Sequence, residues 1–260
     1  LRRSLELLPT HTDAQLSLGR LLLDLGRFDD ADTLYQELSQ QGGVVGGLST
    51  AFRGRLGRIE ALVGLGRLDD ATVQLENLRS EDRERSVARP PAAILALAKG
   101  RPGDAVATMR PLAERELPRA TDLALFGDAL FEADETEAAS DAYDRAIELD
   151  PGLPEALIGR ARLAVRAESA RDAFAVLARV VEALGQRVRP HLLEGSGAKA
   201  EAREALRSAI ALPGVPAEAH FFLGEALAGE NAPEARSSYE RYLELDEDGS
   251  FARRARRAVR

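Results

Sequence analysis

The sequence predicts an all-α fold built from antiparallel helical hairpins laid side by side. Three observations predict it. Ala, Leu, Arg and Glu dominate the 260 residues, aromatics make up only 5 %, and Trp is absent; this is an alphabet of strong helix formers. A short phrase recurs along the chain: a Gly, a polar residue, one or two acids, then an Ala. The alanines in that role are Ala31, Ala71, Ala105, Ala139, Ala173, Ala202 and Ala235, spaced by 40, 34, 34, 34, 29 and 33 residues. Three successive intervals of 34 define an internal repeat about two helices long.

Each phrase marks the turn of a hairpin. It reads Gly26-Arg27-Phe28-Asp29-Asp30-Ala31, then Gly66-Arg67-Leu68-Asp69-Asp70-Ala71, then Gly100-Arg101-Pro102-Gly103-Asp104-Ala105. The Gly is expected to end the first helix in a left-handed conformation. The Asp is expected to cap the second helix and favour its positive end. Two helices meet closely only where side chains are small, so Gly19, Gly127, Gly224 and the alanine series are placed at crossings. Leu22, Leu62, Leu130 and Leu227 are expected to fill the seam, and the proline after Asp150 stops a second helix from continuing.

The pattern resembles the tetratricopeptide repeat (TPR) family. The fourth copy carries the likeness best: Phe126-Gly127 stands where that family has Leu-Gly. Ala139, Tyr143 and Ala146 match its small–aromatic–small series, and Asp150-Pro151 matches its closing proline. The first copy has Leu18-Gly19, Ala31 and Tyr35; the last has Leu223-Gly224, Ala235, Tyr239 and Tyr242. The resemblance implies a right-handed α-solenoid, in which no hairpin buries its apolar face alone and each leans on its neighbours. The whole chain, 1–260, reads as a single solenoid. Its repeats are 12–45, 52–85, 86–119, 120–153, 154–187, a degenerate 188–215, and 216–247. Ser4-Leu5-Glu6-Leu7-Leu8-Pro9 reads as a partial repeat (1–9), the tail of a second helix whose first helix lies upstream. Residues 250–260 form a capping helix, with Phe251, Ala255 and Val259 inward and the arginines outward.

The period breaks in three places. Gly42-Gly43-Val44-Val45-Gly46-Gly47 lengthens the first interval and reads as a mobile insertion loop or a widened joint; it lacks the Lys-Ser/Thr ending of a phosphate loop. Pro90-Pro91 places the start of the third repeat's first helix near Pro90, and Pro111 is expected to kink the helix after it. The sixth unit is short, with Gly195-Ser196-Gly197 interrupting it and a second helix surviving over roughly Lys199 to Leu212.

Several function classes are excluded or disfavoured. Cysteine is absent, so disulfides and thiolate metal sites cannot exist. His11, His191 and His220 fall in different units with no ligand spacing between them, and His220 stands where the family places an aromatic. No nucleophile elbow occurs. The acidic pairs Asp29-Asp30 and Asp69-Asp70 lie at turns, where capping explains them. The reading is therefore a chain that is not an enzyme and takes no cofactor or metal. A net charge of −8 opposes nucleic-acid binding, and no run of 18 apolar residues could span a membrane. Cytoplasmic placement is the expectation, with the periplasm open.

What remains is a protein-binding scaffold. By resemblance, the first helices line a concave groove. Its residues are Leu16, Arg20, Leu23 and Asp24; Leu56, Glu60 and Val63; Ile94 and Leu97; Asp128, Phe131 and Glu132; Ile158, Arg162, Val165 and Arg166; and Phe221 and Glu225. An apolar middle with flanking charges of both signs suits an amphipathic helix or an extended peptide. From Ala120 to Glu155 eleven acids face one base, Arg145, which would favour a basic partner. The family's clamp for a C-terminal carboxylate uses lysines and asparagines, and here Lys99, Lys199, Asn77 and Asn231 occupy none of its positions. An assembly factor of a bacterial envelope, pilus or motility complex, or a regulatory arm of a larger enzyme, are the alternative settings.

Overall fold

Tight turns organise the chain. Gly26, Gly66 and Gly100 adopt φ of +67°, +71° and +67°, the left-handed conformation that ends a helix and sends the chain back along it. The fourth turn makes the same move with Asp134 at φ +62°. In the computed structural model, which describes residues 12–167, 176, 203–204, 206–207, 210–211, 216–228, 231–249 and 251–259, these turns join antiparallel helix pairs. The partial repeat at 1–9, His11, Ala173, His191, Ala202 and the break at Gly195–Gly197 lie outside the described residues.

By its internal packing the chain falls into two units: Leu1–Pro118 with Glu132–Asp134, and Arg119–Phe131 with Glu135–Arg260. In the first, α1 (Thr12–Asp24) pairs with α2 (Phe28–Gln40) and α3 (Thr50–Gly64) with α4 (Leu68–Glu76). A short α5 (Ser80–Arg83) and a 3-10 turn (Ser86–Ala88) lead to the pair α6 (Arg89–Ala98) and α7 (Pro102–Ala113). Pro90 and Pro91 sit in the first turn of α6, as the sequence required. Pro111 lies inside α7, which ends two residues later at Ala113. The core joins Leu22, Ala31, Tyr35, Leu38 and Ala61, then Phe52, Leu56, Ile59, Leu62 and Ala71 with Leu78 and Leu95.

The second unit holds α8 (Ala120–Glu132), α9 (Thr136–Leu149), α10 (Pro154–Arg166), α11 (Glu218–Leu227), α12 (Ala232–Leu245) and α13 (Ala252–Ala258). Leu157, Ile158 and Ala161 of α10 share a core with Phe221, Leu227, Tyr239, Tyr242 and Ala255. The Phe221 and Phe251 rings stack with centroids 4.5 Å apart, so the C-terminal helix closes an aromatic cluster. Its arginines Arg253, Arg254, Arg256 and Arg257 are exposed, as expected, and two make surface contacts: Arg254 pairs with Glu225 at 2.7 Å and Arg256 reaches the Glu247 carbonyl at 2.8 Å.

The turn aspartates behave differently from expectation. They do not cap. Arg27, Arg67 and Arg101 occupy the N-cap position with no side-chain cap bond, and the Asp is the third residue of the helix. There it meets the arginine just before the helix. Arg27 Nε donates to Asp30 at 2.7 Å, Arg67 to Asp70 at 2.8 Å, Arg79 to Asp82 at 2.8 Å and Arg119 to Asp122 at 2.9 Å. Arg101 and Asp104 sit 3.3 Å apart. An acid in the first turn still favours the positive helix end, and the exposed bridges at Arg27, Arg67 and Arg101 are each worth at most about 1 kcal/mol.

The insertion after α2 is also corrected. Val44–Val45 pairs antiparallel with Leu48–Ser49, Val45 opposite Leu48. Gly46 and Gly47, both at positive φ (+57° and +77°), form the two-residue connection that such a hairpin demands. The Gly-rich stretch is thus a minimal β-hairpin in an otherwise helical repeat. It ends at Ser49, whose side chain accepts from Phe52 N at 3.1 Å and caps α3.

Candidate functional site

Within each unit, one tyrosine of a second helix wedges between first helices. A Cβ added at Gly19 of α1 would fall 2.5 Å from Tyr35 Cζ, and one at Gly57 of α3 would run into the same ring. Tyr143 is held alike: a Cβ at Gly127 of α8 would lie 2.6 Å from Cε1, and one at Gly159 of α10 would strike the ring. Gly224 of α11 meets Tyr239. These rings are buried, Tyr143 completely. Each therefore sets the spacing of the helices on either side, because neither ring nor backbone can yield.

Eleven positions before each turn alanine stand Arg20, Glu60 and Ile94 in the first unit and Asp128 and Arg162 in the second. Neighbours within a unit pair across the first helices. Arg20 Nη1 donates to Glu60 Oε2 at 3.0 Å, and Arg162 Nη1 lies 3.7 Å from Asp128 Oδ1. The tyrosine beneath joins in: Tyr143 Oη donates to Asp128 Oδ1 at 2.7 Å. In the last hairpin Tyr239 Oη donates to Glu225 Oε1 at 2.9 Å, while Arg254 holds the other oxygen.

Burial shapes the electrostatics. Burial raises the Glu60 carboxyl above its usual range; Arg20 works against this and Asp24 adds to it. The Tyr35 phenol is raised by burial and then by the Glu60 charge, and Tyr239 by burial and then by Glu225. His220, half-buried in α11, is lowered first by burial and then by Arg241.

A family model for the tetratricopeptide repeat matches residues 16–78, 91–154 and 191–250. The chain belongs to the tetratricopeptide repeat family. Among solved structures, the TPR chain resembles the APC/C hetero-tetramer Cut9-Hcn1, with a TM-score of 0.59 at 12 % identity, over 98 % of this chain and 51 % of that one. It therefore spans about half the length of that structure. A tetratricopeptide repeat protein from Parabacteroides merdae matches with a TM-score of 0.45 at 12 % identity, over 95 % of this chain and 98 % of that one. YrrB, a TPR protein with an unusual peptide-binding site, matches at 0.41 and 15 % identity, over 78 % and 91 %. At 12 % identity the likeness to Cut9-Hcn1 speaks of the fold alone. Curated proteins show no match to this chain.

Of the groove residues expected from the TPR pattern, the polar ones reach the surface to differing degrees. Arg20, Asp24, Glu132 and Arg166 are exposed, while Glu60, Asp128, Arg162 and Glu225 are half-buried. Ile94, Leu16, Leu23, Val63, Leu97 and Val165 are half-buried too. Four apolar members belong instead to the core: Leu56, Phe131, Ile158 and Phe221 are 7 %, 6 %, 2 % and 1 % exposed. Phe131 is covered by Arg162 and Arg166, whose guanidinium carbons lie 4.2 and 3.7 Å from the ring centroid. Arg166 Nη1 also donates to the Phe131 carbonyl at 3.1 Å. A guanidinium laid on an aromatic face is held by cation–π attraction, so the surface there is arginine rather than phenyl. Sequence reasoning missed Gly57 and Gly159, the second wall of each tyrosine slot; both stand two residues before the small-residue position of their repeats, where the signal was present.

Among the described residues no group of three His, Asp or Glu side chains could hold a metal ion, and no helix is long and apolar enough to cross a membrane.

Proposed function

We propose that this TPR chain is a non-enzymatic scaffold that holds a partner protein or peptide on the face formed by its first helices. The observation that carries the reading is the pairing at one repeat position within each unit, Arg20 with Glu60 in the first and Asp128 with Arg162 in the second. One repeat position supplies one side chain per hairpin, and buried tyrosine wedges fix the local spacing. Side chains preorganised in this way lose little entropy when a partner docks. Half-buried leucines and valines beside these pairs supply apolar contact, and the charges supply register. The cation–π cover on Phe131 makes a guanidinium surface part of that face, and the acids of 120–155 favour a partner with basic or amphipathic character.

The test places a photo-crosslinking residue at Asp24, Ile94 or Glu132 on the first-helix face, and at Glu37 or Glu148 on exposed second-helix surface. In the cells that make the chain, a discrete cross-linked protein is expected from the first three positions. The same product from Glu37 and Glu148 alone would move the binding face to the second helices.

A further inference from the structure

The cluster over Tyr35 sets two acids on one arginine. Arg20 is divided: Nε lies 3.0 Å from Asp24 Oδ1 and Nη1 3.0 Å from Glu60 Oε2. Two carboxylates therefore bear on one guanidinium. Over Tyr143, one arginine stands beside Asp128 and a second, Arg166, covers the neighbouring Phe131. Over Tyr239, Glu225 has Arg254 and the phenol. Glu60 is also the most enclosed of the three carboxylates. Its side chain is 19 % exposed, against 31 % for Asp128 and 30 % for Glu225. Arg20, by contrast, is 62 % exposed, so much of its charge is answered by water and not by Glu60.

The groups facing Glu60 are few. Helix α1 supplies Arg20 and Asp24. Helix α2 supplies the Tyr35 phenol, which stays protonated well above neutral pH. Helices α4 and α6 also pack on α3, and the largest charge effects on Glu60 come from Arg20 and Asp24. We propose that Glu60 is a proton-binding group at the junction of the first two hairpins: as pH falls it takes one proton ahead of an exposed glutamate, turns a net negative cluster neutral, and remains hydrogen-bonded to Arg20 as the acid. The junction thereby tightens, and the first-helix face loses a negative charge.

The sign follows from linkage. A carboxyl whose folded pKa is raised contributes stability that is fully present below its ordinary value of 4.5 and is lost as pH rises through the folded value. The charged carboxylate thus stabilises the fold less than the neutral acid does, because burial outweighs the attraction of Arg20.

The direct measurement is an NMR titration of the Glu60 side-chain carboxyl in the unmodified chain. Its midpoint is expected above that of an exposed glutamate, lowered in Asp24→Asn and raised further in Arg20→Gln. Thermal unfolding gives the second reading. Glu60→Gln, which mimics the protonated acid, should melt above the wild type at pH 7, with the gap closing as pH falls to 4.5. A midpoint at or below that of an exposed glutamate, or a Glu60→Gln chain that melts below wild type at pH 7, overturns the proposal. Neither readout depends on a partner, so failure here leaves the scaffold reading intact.

Discussion

In the first unit the tyrosine wedge lies under an arginine from its own hairpin and a glutamate from the next, Arg20 and Glu60. In the second unit it lies under an aspartate from its own hairpin and an arginine from the next, Asp128 and Arg162. The repeat positions are identical and the signs are reversed. The ring beneath is the constant: Tyr35 between Gly19 and Gly57, Tyr143 between Gly127 and Gly159. The comparison teaches that the spacing of the first helices is set by an aromatic ring against bare backbone, while the charges above are a replaceable layer. A half-exposed ion pair contributes roughly 0–1 kcal/mol, whereas a buried aromatic side chain contributes several. Packing decides where the face lies, and charge decides what it attracts.

The strongest test of that ranking removes a wedge. Tyr143→Ala is expected to cost about 3–5 kcal/mol, the range for truncating a large buried aromatic, and Tyr35→Ala a comparable amount. Urea unfolding followed by circular dichroism measures both. A loss below about 1 kcal/mol at either position would mean that the ring does not set the spacing. Phe131→Ala belongs with these packing variants, because its ring is core and not groove; its effect on a partner could not be separated from its effect on the fold.

Swapping the charges sharpens the same comparison. The double change Arg20→Glu with Glu60→Arg gives the first unit the polarity of the second. It should leave the unfolding free energy within about 1 kcal/mol of wild type, while either single change, which sets like charges side by side, costs more than the double. A double variant less stable than both singles would show that the sign is tied to the local scaffold, and the comparison between the units would fail.

Much of this arrangement was legible in the sequence, and the reason is that TPR hairpins are local objects. The turn glycines, the turn alanines and the seam leucines depend on neighbours within one repeat, and Ala31, Ala71, Ala105 and Ala139 are all fully buried. What escaped depends on distances between repeats or on competition within one turn. Phe131 and Phe221 occupy groove positions by count, yet a large apolar ring gains more by sinking into the core or under guanidinium groups than by lining a wet surface. The turn aspartates were assigned to capping by composition alone. The arginine before each helix competes for the same carboxylate, and a charged partner wins over a backbone amide that water can reach. The β-hairpin at Val44–Ser49 hid because two residues per strand give no alternation to detect.

The smallest expected effect concerns the one turn that breaks its own rule. Gly26, Gly66 and Gly100 hold the left-handed position of the first three turns, and the fourth gives it to Asp134 at φ +62°. A side chain there costs roughly 1–2 kcal/mol through contact of Cβ with the following carbonyl, less for Asp than for most residues. A glycine avoids that contact but gives up roughly 0.5–1 kcal/mol in the freedom of the unfolded chain. The Asp134 side chain is exposed, so its contacts contribute little. The difference predicts that Asp134→Gly gains about 0.5 kcal/mol, seen as a rise in the urea midpoint with an unchanged slope, and that Gly100→Asp loses a similar amount. If Asp134→Gly were instead destabilising, the aspartate would have to be holding the fourth turn by an interaction stronger than an exposed side chain normally supplies. That turn would then be set apart from the other three by chemistry rather than by drift.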